Sequence, residues 1–141
     1  MKLSGYRRIN SNGYYISVFI SIPSYSLFKP ITFLVDTGCE LTTINHSDAR
    51  DFGIDEIAGN LLKGTGLGGT VNAVPLYGCS FCFVTDNFEI QWEPLNKVLV
   101  SKPVVTWENY DTVMSVPSLL GMDVLQNYTI SFPNNRVILE K

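Results

Sequence analysis

Phe33-Leu34-Val35-Asp36-Thr37-Gly38-Cys39-Glu40-Leu41-Thr42-Thr43-Ile44 is the stretch from which the rest of the chain is read. An apolar run from Ile31 to Val35 delivers an acidic residue straight out of a buried strand. Aspartate is disfavoured inside strands and costly to bury ionised. Thr37 places a hydroxyl beside it, and Gly38, lacking a Cβ, lets another backbone or a ligand approach. Thr42, Thr43 and Ile44 return to β-type residues. A carboxylate mounted on a tight turn between two buried strands is suited to general acid/base work.

Leu34-Val35-Asp36-Thr37-Gly38-Cys39-Glu40-Leu41-Thr42-Thr43-Ile44 resembles the active-site loop of the retropepsin-like aspartic proteases. Gly64-Thr65-Gly66-Leu67-Gly68-Gly69 falls where that family has a glycine-bearing flap hairpin. Ser118-Leu119-Leu120-Gly121-Met122-Asp123-Val124-Leu125 resembles its aliphatic-aliphatic-Gly segment and the short helix that follows. The three motifs occur in the family's order and span Ile31 to Leu125. The resemblance implies an acid-protease fold acting on peptide or protein substrates without metal or other cofactor.

Aspartic-protease chemistry needs two carboxylates facing each other across a water. Like charges about 3 Å apart cannot both ionise, so the pair shares a proton. The chain carries a single Asp-Thr-Gly, and Asp123, in a helix-like context after Gly121, is not a second copy. The resemblance therefore implies a homodimer in which Asp36 of each chain meets its twin at a twofold axis. On that reading the Thr37 hydroxyl bonds to the partner's loop and Gly38 permits the close approach. Gly66, Leu67, Gly68 and Gly69 close over an extended peptide, which binds by adding a strand. Leu119, Leu120 and Gly121 pack beneath the Asp36 loop.

Two positions depart from the family pattern. Cys39 replaces the usual Ala or Ser, and a thiol, a weak donor, supports an ionised dyad less than a hydroxyl would. A Ser at position 39 is therefore expected to lower the acidic limb of the pH–rate profile. Met122 stands where retroviral members have an Arg, leaving Glu40 to pair with Arg7 or Arg8 or to stay solvated.

Composition sets outer bounds. The 141 residues suit one domain, 1–141, and 45% are hydrophobic, enough for a core. Charged residues are 16%, below the roughly 25% of an ordinary domain. A net charge of −3, with Arg7-Arg8 the only adjacent basic pair, argues against nucleic acid. No apolar run approaches the roughly 20 residues of a membrane span. The first eight residues hold no apolar segment of a secretory leader, so a cytoplasmic location is expected. Cys39, Cys79 and Cys82 are too few for a disulfide framework. Cys79-Ser80-Phe81-Cys82 with a single His lacks the ligands for zinc, and reads as two strand cysteines pointing to opposite faces in or near the core.

The remaining pattern is that of many short strands. Asn12-Gly13 is a two-residue hairpin signal after a short strand at 6–10. Residues 14–22 alternate, with Tyr14, Ile16, Val18, Ile20 and Ile22 on one face. Pro23 and Pro30 bracket a loop. A short helix enters at Asn45 and stops at Gly53, with His46 a surface residue at its entry. The flanks of the glycine cluster pair as a hairpin. A phosphate cradle is excluded there because no Gly-Lys-Ser/Thr ending follows. Strands are expected at 76–84, 88–92, 97–100 and 104–107, with 108–116 unassigned. A helix is expected at 122–126, and a closing hairpin around Pro133-Asn134-Asn135. Trp92 and Trp107 fit a core, an interface or a peptide groove. The whole reads as all-β, a closed barrel-like sandwich with two brief helices. Two other functions suit the same residues: a catalytically inactive dimerisation or peptide-binding module on this fold, and an all-β ligand-binding domain in which Asp36 satisfies a turn.

Overall fold

The computed structural model describes residues 1–66 and 69–141. Its strands are β1 (Lys2–Arg7), β2 (Tyr14–Ile22), β3 (Leu27–Val35), β4 (Thr43–Ile44), β5 (Leu62–Gly66), β6 (Gly69–Val84), β7 (Ile90–Ser101), β8 (Ser118–Leu120), β9 (Thr129–Ser131) and β10 (Arg136–Glu140). Three short helices join them: α1 (His46–Phe52), α2 (Tyr110–Ser115) and α3 (Met122–Leu125). Neighbouring strands run β6-β7-β4-β8-β3-β2, and β2 pairs back onto β6, closing a six-strand barrel. β1, β10 and β9 extend the sheet beyond β2, and β5 pairs with the start of β6. The architecture is the all-β, closed barrel-like one expected. No helix of the described residues is long and apolar enough to cross a membrane.

Period-2 patterning places the core. In β2, Ile16, Val18, Ile20 and Ile22 point inward, while Ser17 and Phe19 face out. Phe33 of β3 and Phe81 of β6 are fully buried, their rings 5.3 Å apart and tilted. Each such side chain contributes on the order of 1.5–3 kcal/mol by leaving water. Cys79, Phe81 and Phe83 share the core face of β6, whereas Cys82 is buried on the other face, opposite Phe19 and Trp92. Burial pushes the Cys79 thiol up to about 11, so it behaves as a small apolar residue.

Several boundaries differ from those the sequence suggests. β1 starts at Lys2, not Tyr6, because it pairs with β10 along Lys2–Tyr6. Asn12-Gly13 is no two-residue turn. Tyr14 pairs with Arg7 across a longer connection, in which Asn10 takes the positive φ. Pro23–Tyr25 form a 3-10 turn, and β3 then runs through Pro30, opposite Phe19. At that position β3 has β2 on one side only, since β8 pairs with Phe33–Val35, so a proline costs no ladder bond on the open side. Pro75 and Pro94 likewise lie inside the long hairpin strands β6 and β7, which run unbroken where the sequence suggests interruptions. Residues 104–107 form no strand, and the unassigned stretch after them contains α2. Neither tryptophan is in the core: Trp92 is half-exposed against Phe28, and Trp107 is fully exposed.

Candidate active site

β3 carries Asp36 to the end of the barrel. Its parallel partner β8 aligns Leu34 with Leu119 and Val35 with Leu120. The Asp36 amide then donates to the Leu120 carbonyl at 3.1 Å, so the ladder continues one bond past the strand. The chain turns at once: the Cys39 amide donates to the Asp36 carbonyl, 3.2 Å. The Gly38 amide donates to Asp36 Oδ1, 2.9 Å, which fixes the carboxylate's orientation. Asp36 is half-buried, while Thr37 and Gly38 are exposed. Among the described residues, Asp36 Oδ2 has no protein donor.

The far end of the loop is held by α3. The Met122 amide donates to the Cys39 carbonyl at 2.8 Å and the Asp123 amide to the Glu40 carbonyl at 3.0 Å. Asp123 returns its carboxylate to Thr42, accepting from the amide at 3.0 and 3.1 Å and from the hydroxyl at 2.8 Å. The same hydroxyl accepts from the Gly121 amide, 3.1 Å, and the Thr42 carbonyl accepts from the Leu99 amide, 3.0 Å. Thr42 is fully buried, and every polar atom it has is satisfied. Hydrogen bonds to an ionised group contribute about 1.5–3 kcal/mol each, so the Thr42–Asp123 junction is a strong fastener. Leu119, Leu120 and Gly121 thus lie directly against the Asp36 loop.

Reading the sequence did not find the Thr42–Asp123 pair. Its signal is present: a threonine in a buried strand must bond its hydroxyl, and an acid two residues past Gly121 lies on the segment that packs there.

Cys39 is buried, and its Sγ donates to the Leu41 carbonyl at 3.0 Å. Burial pushes the thiol's pKa up, and the nearby Asp36 charge adds to this. The side chain is therefore engaged below the loop rather than with the carboxylate, contrary to the expectation that it tunes Asp36. A serine at this position keeps the same bond. Cys39→Ser is expected to leave the acidic limb of a pH–rate profile in place and to change stability by about 1 kcal/mol or less. A limb displaced by that variant would put residue 39 against the Asp36 carboxylate after all. Glu40 is exposed and has no ion pair among the described residues; Arg8 instead lies over the Tyr15 ring, 4.1 Å from its centroid.

The β5–β6 hairpin pairs Leu62 with Ala73 through Gly66 with Gly69, as its sequence suggests. Leu67 and Gly68, assigned to its tip, lie outside the described residues. The hairpin is linked to the Asp36 loop by the sheet itself: Pro75 pairs with Leu99, which pairs with Thr43. His46 opens α1 and is half-buried. The amide of Asn45, just before it, donates to Ser118 Oγ at 3.0 Å, and the Ser118 hydroxyl donates to Asp48 at 2.6 Å. These contacts tie α1 to β8. Burial raises the Asp48 carboxyl, and the Ser118 bond opposes that rise.

A family model described as aspartyl protease matches residues 28–124, the span from the start of β3 to α3. The chain belongs to this aspartyl protease family. Its Asp36 loop, hairpin and under-loop segment all fall inside the matched region. Among solved structures, the chain is similar to a retropepsin-like aspartic protease from Rickettsia conorii. That likeness has a TM-score of 0.57 at 19% identity, over 99% of this chain and 89% of the other, and it places this family member in the retropepsin-like fold. No curated protein matches the chain.

Proposed function

We propose that the protein is a homodimeric aspartic endopeptidase in which Asp36 from each of two chains brackets one water. One carboxylate takes a proton from that water as it attacks the peptide carbonyl carbon. The other gives its proton to the carbonyl oxygen, and the resulting diol collapses when the amide nitrogen is protonated and leaves. On this reading the hydroxyl of Thr37, which is exposed beside Asp36, bonds the partner's loop. The β5–β6 hairpin is the element that pairs with an extended substrate.

The observation that carries this reading is the Asp36 carboxylate. It stands on a doubly anchored turn with Oδ1 fixed by Gly38, and Oδ2 has no donor among the described residues. Asp123, the carboxylate tied to the same loop, is consumed by Thr42 and Val124, so a second acid must come from elsewhere.

Subunit exchange tests it. An Asp36→Asn chain presents the same dimerising surface. After full exchange in an equal mixture, about a quarter of dimers hold two intact chains, because intact pairs scale as the square of the intact fraction. Activity per intact chain is expected to fall to about half, at protein well above the dissociation constant. If activity tracks the intact fraction linearly once mass labelling has shown exchange, both carboxylates belong to one chain.

A further inference from the structure

The outer face of the barrel carries an apolar stripe where β3, β2, β6 and β7 lie side by side. Register sets Phe19 opposite Pro30 on one flank and Cys82 on the other, and Cys82 opposite Trp92. One step along the same face, Val84 is opposite Ile90. Residues directly opposite in antiparallel strands point to one side of the sheet, as do i, i+2 neighbours, so these side chains share the surface turned away from the core. Phe19 is 39% exposed, Phe28 and Trp92 52% each, Val84 53% and Ile90 68%. The rings already hold one another. Phe19 and Phe28 stack with centroids 5.1 Å apart, and Phe28 lies 6.1 Å from Trp92.

Polar residues bound the stripe. The hydroxyls of Ser17 and Thr32 bond at 2.8 Å on one margin, and Ser21 faces Ser80 on the other. An uncharged apolar centre inside a polar rim is the anatomy of a protein interface. Aromatic side chains offer about 150–250 Å² each, so the open parts of the three rings amount to about 200–350 Å². Val84 and Ile90 add to this. Each side of a standard interface contributes about 450 Å² of apolar area, and a patch on that scale marks an interaction site.

The charges at its two ends select the occupant. Lys29 follows Phe28 at the β3 end, and Glu89 precedes Ile90 at the β6–β7 turn. Both are exposed, and neither has an ion pair among the described residues. A stripe with a cation at one end and an acid at the other is complementary to itself when turned through a half-circle. We propose that this face pairs with the same face of a second copy about a twofold axis, Lys29 of each chain meeting Glu89 of the other. The two sheets pack face to face about 10 Å apart. Pro30, opposite Phe19, precedes Asp36 by about 20 Å of strand at roughly 3.3 Å per residue, so the face leaves the Asp36 loop free. Pairing through Asp36 and pairing through this face are therefore compatible, and together they join four chains. The count of four rests on the peptidase reading; the pairing of the face does not.

Sedimentation velocity across the micromolar range tests it. The intact protein is expected to move as four chains and Trp92→Lys as two, the dissociation constant of the face-to-face contact rising about 30-fold or more. Peptide hydrolysis is expected to be unchanged in Trp92→Lys. The end charges give a second reading that leaves the rings alone. Lys29→Glu is expected to weaken the association several-fold by setting like charges against each other, and adding Glu89→Lys to it is expected to restore the association. The two residues lie at opposite ends of the stripe in one chain, so such a rescue arises between chains. With Trp107→Phe, Trp92 is the sole indole, and its emission is expected to shift to shorter wavelength as protein concentration rises.

A mass that none of these substitutions changes overturns the proposal, as does a chain that stays single at every concentration. So does a Trp92 shift that follows added phosphatidylcholine vesicles and not protein concentration. If Trp92→Lys does not fold, the charge exchange decides: no loss with Lys29→Glu, or no rescue by Glu89→Lys, overturns the proposal. The peptidase reading is judged separately, by cleavage with Asp36 intact. An intact protein of two chains that Trp92→Lys separates, and that cleaves nothing, loses the peptidase and keeps the paired face. One that cleaves as two chains whether or not Trp92 is replaced keeps the peptidase and loses the paired face.

Discussion

Asp36→Asn is expected to remove peptide hydrolysis while leaving the fold and its stability close to unchanged. The stability side follows from the local bonds. The asparagine side chain keeps an oxygen for the Gly38 amide, now 2.9 Å from Oδ1. The backbone bonds to Leu120 and from Cys39 do not involve the side chain. No ion pair among the described residues is lost, and the position is half-buried rather than sealed. The activity side follows from the proton inventory. An amide cannot take a proton from water or return one to a carbonyl, and acid/base groups of this kind contribute about 10²–10⁴-fold in rate. In the proposed homodimer both carboxylates are lost at once. The measurement is turnover of an unstructured protein substrate alongside thermal unfolding. A folded variant with full activity would remove Asp36 from the chemistry.

What the sequence disclosed and what it hid follow from different physics. Alternation in 14–22 was legible because one face of β2 is core and the other is not, so a period of two is written directly into residue type. The Asp36 loop was legible because it breaks that rule, placing an acid at the end of an apolar strand. Pro30, read as the end of a loop, lies inside β3. Pro30, Pro75 and Pro94 all sit within strands, each at a position where one neighbouring strand is paired, and no local pattern reveals which side of a strand is open. The segment 104–107 has strand composition, yet it forms none. Its apolar residues are exposed, and burial, not propensity, is what fixes a strand. α2 was hidden for a related reason: a single solvated turn and a half with no buried residue carries no helical stripe. The Thr42–Asp123 fastener joins residues far apart in sequence, so only the closure of β8 against the loop brings it into view.

Gly121→Ala is expected to damage stability and activity together, and the reason is steric. Gly121 has φ −95° and ψ −179°, extended backbone open to any residue, so conformational strain does not enter. A Cβ there would lie 2.8 Å from the Leu41 carbonyl carbon, 2.9 Å from the Cys39 oxygen and 2.9 Å from the Thr42 nitrogen. All three are backbone atoms of the Asp36 loop, and none can swing aside as a side chain would. Retreat is blocked because the Cys39 oxygen is bonded to the Met122 amide and the Thr42 nitrogen to Asp123. Overpacking of this kind costs about 1–3 kcal/mol. Loss of unfolded-chain entropy on replacing glycine returns about 0.4–1 kcal/mol, too little to offset it. What relaxation does occur must lift the loop off β8 and carry Asp36 with it, and misplacing a reacting group by about 1 Å costs on the order of 10²-fold in rate. Gly53→Ala is the control: at φ +71° with nothing within 4 Å of its Cβ, it is strained but unobstructed. That variant should lose about 1 kcal/mol at the C-terminus of α1 while turnover stays normal. Denaturant midpoints and kcat for the two variants separate the effects. If folded Gly121→Ala retains normal kcat, the seating of the loop on β8 is not what positions Asp36.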